Sequence, residues 1–222
     1  MIVGTQKPIA EIKAMVKPYR RLLVLGCGTC VKTCFAGGED EVLALSSALR
    51  LAFRVDGEEI DVKGQTVERQ CEDEFIQEAA GGVAHCDAVL SLACGAGVQA
   101  VARRYPNTPV LPGVNTTFIG VREGQGLFTE ECIGCGNCVL AEFGGVCPIT
   151  RCAKRLLNGP CGGSRNGKCE VNPDTDCAWQ LIIDRLKLLG QLDALRTYRS
   201  PRDWRPGIAG GPRRLVREDH II

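Results

Sequence analysis

Apolar residues along the chain fall into two rhythms that alternate. Leu22-Leu23-Val24-Leu25 is an unbroken run between the basic pair Arg20-Arg21 and Gly26, as expected of a strand covered on both faces in a parallel sheet. Gly37-Gly38 and the acids Glu39-Asp40-Glu41 then lead into a helical pattern from Val42 to about Ala52. The acids lie where a helix N-terminus favours negative charge. The alternation continues with a strand over 61–69, a helix over 72–83, a strand over 88–93, a helix over 97–104 and a strand over 109–114. A short amphipathic lead over 9–19 precedes it. Strands alternating with helices at this spacing predict an α/β fold, a small parallel-sheet domain over residues 1–125.

The rhythm stops near Arg122-Glu123-Gly124-Gln125-Gly126. Residues 126–222 form a second, cysteine-rich domain. Cys132 to Cys177 carries eight cysteines interleaved with Gly and Pro and almost no apolar periodicity, so bound metal is expected to supply folding energy that a core does not. From Trp179 to about Leu195 the apolar positions return at helical spacing, giving an amphipathic helix that packs on its own domain or faces a partner. The tail from Arg196 has seven arginines against three acids, with Pro and Gly throughout. It is expected to be extended and to dock on another protein.

Composition sharpens this picture at one point. A length of 222 residues suffices for a sizeable core, and a net charge of +1 implies no polyelectrolyte partner. With aromatics at 5%, a stacking platform for nucleic acid is not expected. The outlier is 14 cysteines beside 2 histidines. The N-terminus offers no apolar core of a secretory signal. The longest apolar stretch, Ala88 to Ala102, is broken by Cys94, Gly95, Gly97 and Gln99, so no membrane span is expected. A cytoplasmic location follows as the expectation, and there thiols stay reduced and serve as metal ligands more readily than as disulfides.

Cys27-x2-Cys30-x3-Cys34 sits on the loop after the first parallel strand, and Cys94 follows a later strand. In a parallel sheet both strand ends open on one edge, the edge where α/β sheets place ligands. Four thiolates converging there point to a [4Fe-4S] cluster in preference to zinc, with adjacent glycines letting backbone approach an inorganic core. Gly26-x-Gly28 also resembles the start of a dinucleotide fingerprint, but the third glycine is missing and cysteines line the loop. The second group is Cys132-x2-Cys135-x2-Cys138, the opening of a ferredoxin repeat, followed by Cys147-Pro148 at a longer interval than usual. Cys152, Cys161, Cys169 and Cys177 complete eight thiolates, enough for two clusters, for one cluster and one zinc site, or for a purely structural zinc module. Cys71 at a predicted helix start is read as packed, and His85 as structural. No Cys-His or Ser-His-Asp arrangement, and hence no catalytic residue, is recognisable.

The segments Cys132-Ile-Gly-Cys-Gly-Asn-Cys-Val-Leu, Cys147-Pro-Ile-Thr-Arg-Cys-Ala-Lys, Asn158-Gly-Pro-Cys-Gly-Gly, Gly167-Lys-Cys-Glu-Val and Asp176-Cys-Ala-Trp together resemble the methylenetetrahydrofolate reductase C-terminal domain family. Nearly the whole chain is similar to its free-standing, MetV-type small subunits. The resemblance implies an iron-sulfur electron-transfer subunit, non-catalytic itself, that accompanies a MetF-type flavoprotein and relays electrons from an upstream donor protein to its flavin in one-carbon metabolism (the acetyl-CoA, or Wood-Ljungdahl, pathway). The alternative is a non-redox adaptor whose zinc sites fold a docking module for that flavoprotein.

Overall fold

A computed structural model describes residues 1–220, and the chain divides into two compact units, Met1–Thr129 and Glu130–Ile222. In chain order the first unit contains β1 (Ile2–Gln6), α1 (Ile9–Val16), β2 (Arg21–Cys27), α2 (Cys30–Thr33), α3 (Glu39–Val55), β3 (Asp61–Val67), α4 (Asp73–Gln77), α5 (Ala80–Val83), β4 (Ala88–Ser91), α6 (Gly95–Arg104), β5 (Val110–Pro112) and β6 (Val114–Gly124). The hairpin partner of β6 is β7 (Leu127–Cys132), which runs into the second unit.

β3, β2, β4 and β5 form the parallel sheet in that spatial order. The apolar run at its centre works as its pattern requires. Leu22 and Val24 pack on one face against Ile12 and Val16 of α1 and Val42, Leu45, Leu49 and Phe53 of α3. Leu23 and Leu25 pack on the other against Ile76, Ala79, Val83 and Val101. A strand with residues of both parities buried has no polar face, hence the continuous run. At the start of α3 the Glu41 carboxylate accepts the Gly38 N–H at 2.8 Å, and the charge and hydrogen bond together fix the entry to the helix.

A second sheet, β1-β6-β7, is antiparallel and lies outside the α/β expectation. β1 reads as an uninformative lead, and it becomes a strand only because β6, more than 100 residues later, pairs with it. The expected strand over 109–114 is likewise two strands. Gly113 ends the first by donating to Ser91 O at 2.8 Å, and the chain then leaves for the other sheet. The expected helix over 72–83 is two short ones.

The second unit has little regular structure: α7 (Pro148–Arg151), α8 (Ala178–Leu188) and a few 3-10 turns. It does own a core, built from Phe143, Cys177, Trp179, Ile182 and Leu186. Phe143 and Trp179 meet edge to face at 5.7 Å and 86°, and the Trp179 indole N–H donates to Leu156 O at 3.1 Å. α8 therefore packs on its own unit. It ends at Leu188 and not at Leu195, because the Gly190 N–H turns back to Lys187 O with the glycine in the left-handed region, φ 66°.

The tail, mostly without helix or strand, makes contacts within its own unit. Arg199 lies over the Phe143 ring at 4.5 Å and bonds Glu142 at 2.5 Å, and its backbone exchanges hydrogen bonds with the Asn158 side chain. Further on, Arg213 donates to Gly134 O at 2.9 Å. Arg199, Arg202 and Arg213 are used within the unit, where carbonyls in irregular backbone need donors.

Candidate metal centres

The parallel sheet has a switch point. From β2 the chain crosses through α3 on one face to β3, whereas from β4 it crosses through α6 on the other face to β5, and β2 and β4 are neighbours. The connections part at the carboxyl ends of these two strands and open a crevice there, the usual ligand site of such a sheet. Cys27 is the last residue of β2, and Cys94 caps α6 directly after β4. Cys30 begins α2 and Cys34 follows its last residue. The four thiols singled out from sequence, all of them free, thus lie at or follow the carboxyl ends of β2 and β4 along the chain.

They differ in surroundings. Cys27 is buried and its thiol leans toward Glu68 O, 3.9 Å away. Cys34 is turned toward β1: its thiol contacts Gly4 O at 3.4 Å and accepts the Gly4 N–H at 3.4 Å. Burial pushes the Cys34 thiol up, and the Gly4 hydrogen bond opposes that rise.

Sequence reading set Cys71 aside, yet the fold brings it to the same edge. Gln70, fully buried, donates through its amide to Leu25 O at 2.8 Å and Gly26 O at 3.0 Å and accepts from Ser91 Oγ at 2.6 Å. This pins the β3–α4 loop across the ends of β2 and β4. α6 comes equally close: a Cβ on Gly97 would lie 2.9 Å from Gln70 Cβ, so only glycine admits this contact. Burial pushes the Cys71 thiol up, and the charges of Cys27 and Cys94 push it further. The signal for Cys71 in the sequence was its position just past a strand. His85 behaves as read, its Nδ1 paired with Gly81 O at 2.8 Å.

In the second unit the cysteines sit at ends of elements and on turns. Cys132 ends β7, Cys147 and Cys152 flank α7, and Cys177 caps α8. Backbone N–H groups two residues on reach two of the sulfurs, Gly134 to Cys132 at 3.3 Å and Gly163 to Cys161 at 3.4 Å. Arg202 of the tail donates to Cys135 Sγ at 3.0 Å and also bonds Asn137 O. Gly136, φ 81°, makes room for that tail: a Cβ there would stand 2.2 Å from Pro206 O.

Two neighbourhoods emerge. The ion pair of Arg151 with Glu131 ties α7, and Cys147 before it, to the strand end that bears Cys132. Cys152 and Cys177 border the small core, and Cys161 and Cys169 share Lys154. The Glu170 hydrogen bond, first, and the charges of both thiols hold the Lys154 ammonium above its ordinary value.

Among the described residues, no three His, Cys, Asp or Glu side chains stand close enough to hold one metal ion. A structural zinc gathers four ligands at about 2.3 Å around one centre. Thiol donors at and past the ends of β2 and β4 are of the type that both zinc and iron-sulfur clusters take. A surface depression of about 710 Å³ lies beside Arg20, Arg21, Arg50 and Arg54 at the opposite edge of the sheet. Glu58, Glu59 and Asp61 share it and balance its charge, and it contains no thiol. No described helix is long and apolar enough to cross a membrane.

Residues 111–205, with all eight of the later cysteines, match the family model described as "Methylene-tetrahydrofolate reductase C terminal". The resemblance drawn from the cysteine motifs is borne out there. No curated protein and no solved structure matches the chain.

Proposed function

Starting from a chain whose residues 111–205 carry the methylenetetrahydrofolate reductase C-terminal domain, we propose that it is the iron-sulfur, electron-transfer subunit of a reductase complex of that kind, serving a MetF-type flavoprotein. The observation that carries the reading is the placement of free thiols at the carboxyl ends of β2 and β4, the switch point of the parallel sheet. In the N-terminal unit Cys27, Cys30, Cys34 and Cys94 are the set that the sequence singles out for a [4Fe-4S] cluster. In the C-terminal unit the two neighbourhoods support a division into Cys132, Cys135, Cys138 and Cys147 on one centre and Cys152, Cys161, Cys169 and Cys177 on the other. Bound clusters would supply one-electron carriers, chemistry that no side chain of this protein provides.

The protein's own residues hold and shield. Gly134, Gly163 and Arg202 donate to sulfur, and Cys27 and Cys177 are shut from solvent by the cores they border. The burial of Cys177 and Cys152 against Phe143 and Trp179 favours a structural role for the second C-terminal centre, which zinc fills as readily as iron.

Iron, acid-labile sulfide and zinc per chain on anaerobically purified protein test the reading, together with dithionite reduction followed by EPR. Iron and sulfide in equal amounts with a reducible EPR signal is the expected result. Zinc alone would leave the adaptor role in its place.

A further inference from the structure

Resting on that reading, we propose that the fourth thiolate of the N-terminal centre is Cys71, joining Cys27, Cys30 and Cys94, and that Cys34 is a packing residue. Topology carries the argument first. β3, β2 and β4 are adjacent and parallel, and each releases a cysteine just beyond its carboxyl end. Cys27 closes β2, Cys71 lies four residues past Val67, and Cys94 lies three past Ser91. Three thiols from three neighbouring strands surround the crevice, and Cys30 completes them from the turn after β2.

The placement of Cys71 is not incidental to a loose loop. Its neighbour Gln70 is fixed by three hydrogen bonds to the last residues of β2 and β4, and α6 approaches that residue as closely as a glycine allows. Cys27 leans onto the same loop through Glu68 O. Cys34 is occupied elsewhere: it caps the far end of α2, both donates to and accepts from Gly4 in the antiparallel sheet, and packs in the core beside α3. A thiol engaged on two backbone groups must give up both to ligate iron. Cys71, by contrast, is exposed.

Alanine replacements of Cys27, Cys71 and Cys34, each in the full chain purified anaerobically, separate the possibilities. Cys27→Ala measures the iron held by the N-terminal centre, about four atoms per chain for a cubane. Cys71→Ala is expected to lose the same amount, and Cys34→Ala to keep wild-type iron. A second readout does not depend on folding of variants: in the loaded wild-type chain Cys71 resists alkylation by iodoacetamide, and after chelation it reacts at least tenfold faster, as located by peptide mass spectrometry. Full iron in Cys71→Ala, or equal alkylation of Cys71 before and after chelation, overturns the assignment while leaving the iron-sulfur reading intact. If Cys27→Ala loses no iron, there is no N-terminal cluster, and the reading itself fails with the assignment.

Discussion

The two units solve the problem of holding thiols in opposite ways. In the first, a sheet buried on both faces and flanked by α3 with Leu49 and Phe53 fully buried forms a body that needs no cofactor, and the cysteines sit at strand ends on it. In the second, five buried residues around Phe143 and Trp179 support about ninety residues of mostly irregular backbone, and the cysteines lie within that backbone. The comparison teaches that cysteine density alone says nothing about what metal does for a fold. What matters is whether backbone near the thiols has other partners.

The largest difference should appear on metal removal. Structural metals contribute about 10 kcal/mol or more in small modules, so chelation is expected to unfold the second unit and leave the first folded. Limited proteolysis of the stripped protein should cut first between Cys132 and Cys177. Early cutting inside residues 40–110 would contradict the contrast.

Core truncation should sharpen it. Phe53→Ala is expected to cost about 3–5 kcal/mol in urea melts of the first unit, with or without metal. Phe143→Ala removes a similar volume and the edge-to-face pair with Trp179, worth about 0.5–1.5 kcal/mol beyond burial, but its cost should register only while metal is bound. Equal sensitivity in stripped protein would show that the small core folds unaided.

A smaller effect is expected at the seam between sheet and site. Gln70→Ala leaves the Leu25 and Gly26 carbonyls and the Ser91 hydroxyl without their partner, a loss of about 1–3 kcal/mol. Circular dichroism melts should register it in the first unit alone.

The smallest is at the surface. Asp87 accepts from the Arg21 side chain at 2.6 Å and from the backbone N–H groups of Arg21 and Arg20, and these hold its carboxyl below the usual carboxylate range. Because the folded value is the depressed one, its contribution is in place above the ordinary value and is lost as pH falls through the folded one. Wild type should melt slightly above Asp87→Asn at about pH 6, and the gap should close below about pH 4. A gap that stays constant with pH would mean the carboxylate charge contributes nothing.

Much of this was legible because the relevant forces are local or periodic. The run Leu22–Leu25 and the acids before Val42 announce β2 and α3 through burial and dipole alone. Cys27, Cys30 and Cys94 could be grouped because parallel topology carries strand ends to one edge. What escaped depended on distant pairing. β1 has no signature without β6, and the tail arginines look solvent-facing until the carbonyls of the Cys132–Cys138 loop are seen to need donors. Cys71 was set aside for a similar reason: its neighbour Gln70 reads as an ordinary polar loop residue, and only the strand ends show what its amide is for.

That buried amide also orders events in the making of the protein. Gln70 is satisfied only when Leu25, Gly26 and Ser91, spread over 67 residues of chain, have come together. Until β4 has joined β2 the loop before α4 has nothing to grip, and an open chain would offer a metal centre only the neighbours Cys27, Cys30 and Cys34, with Cys71 and Cys94 still distant. Once the sheet closes, the thiols are presented together. Loading of a cluster at this edge would thus be an all-or-none step that waits on the polypeptide, whereas in the second unit, on the proposed reading, chain and metal would find their arrangement at the same time.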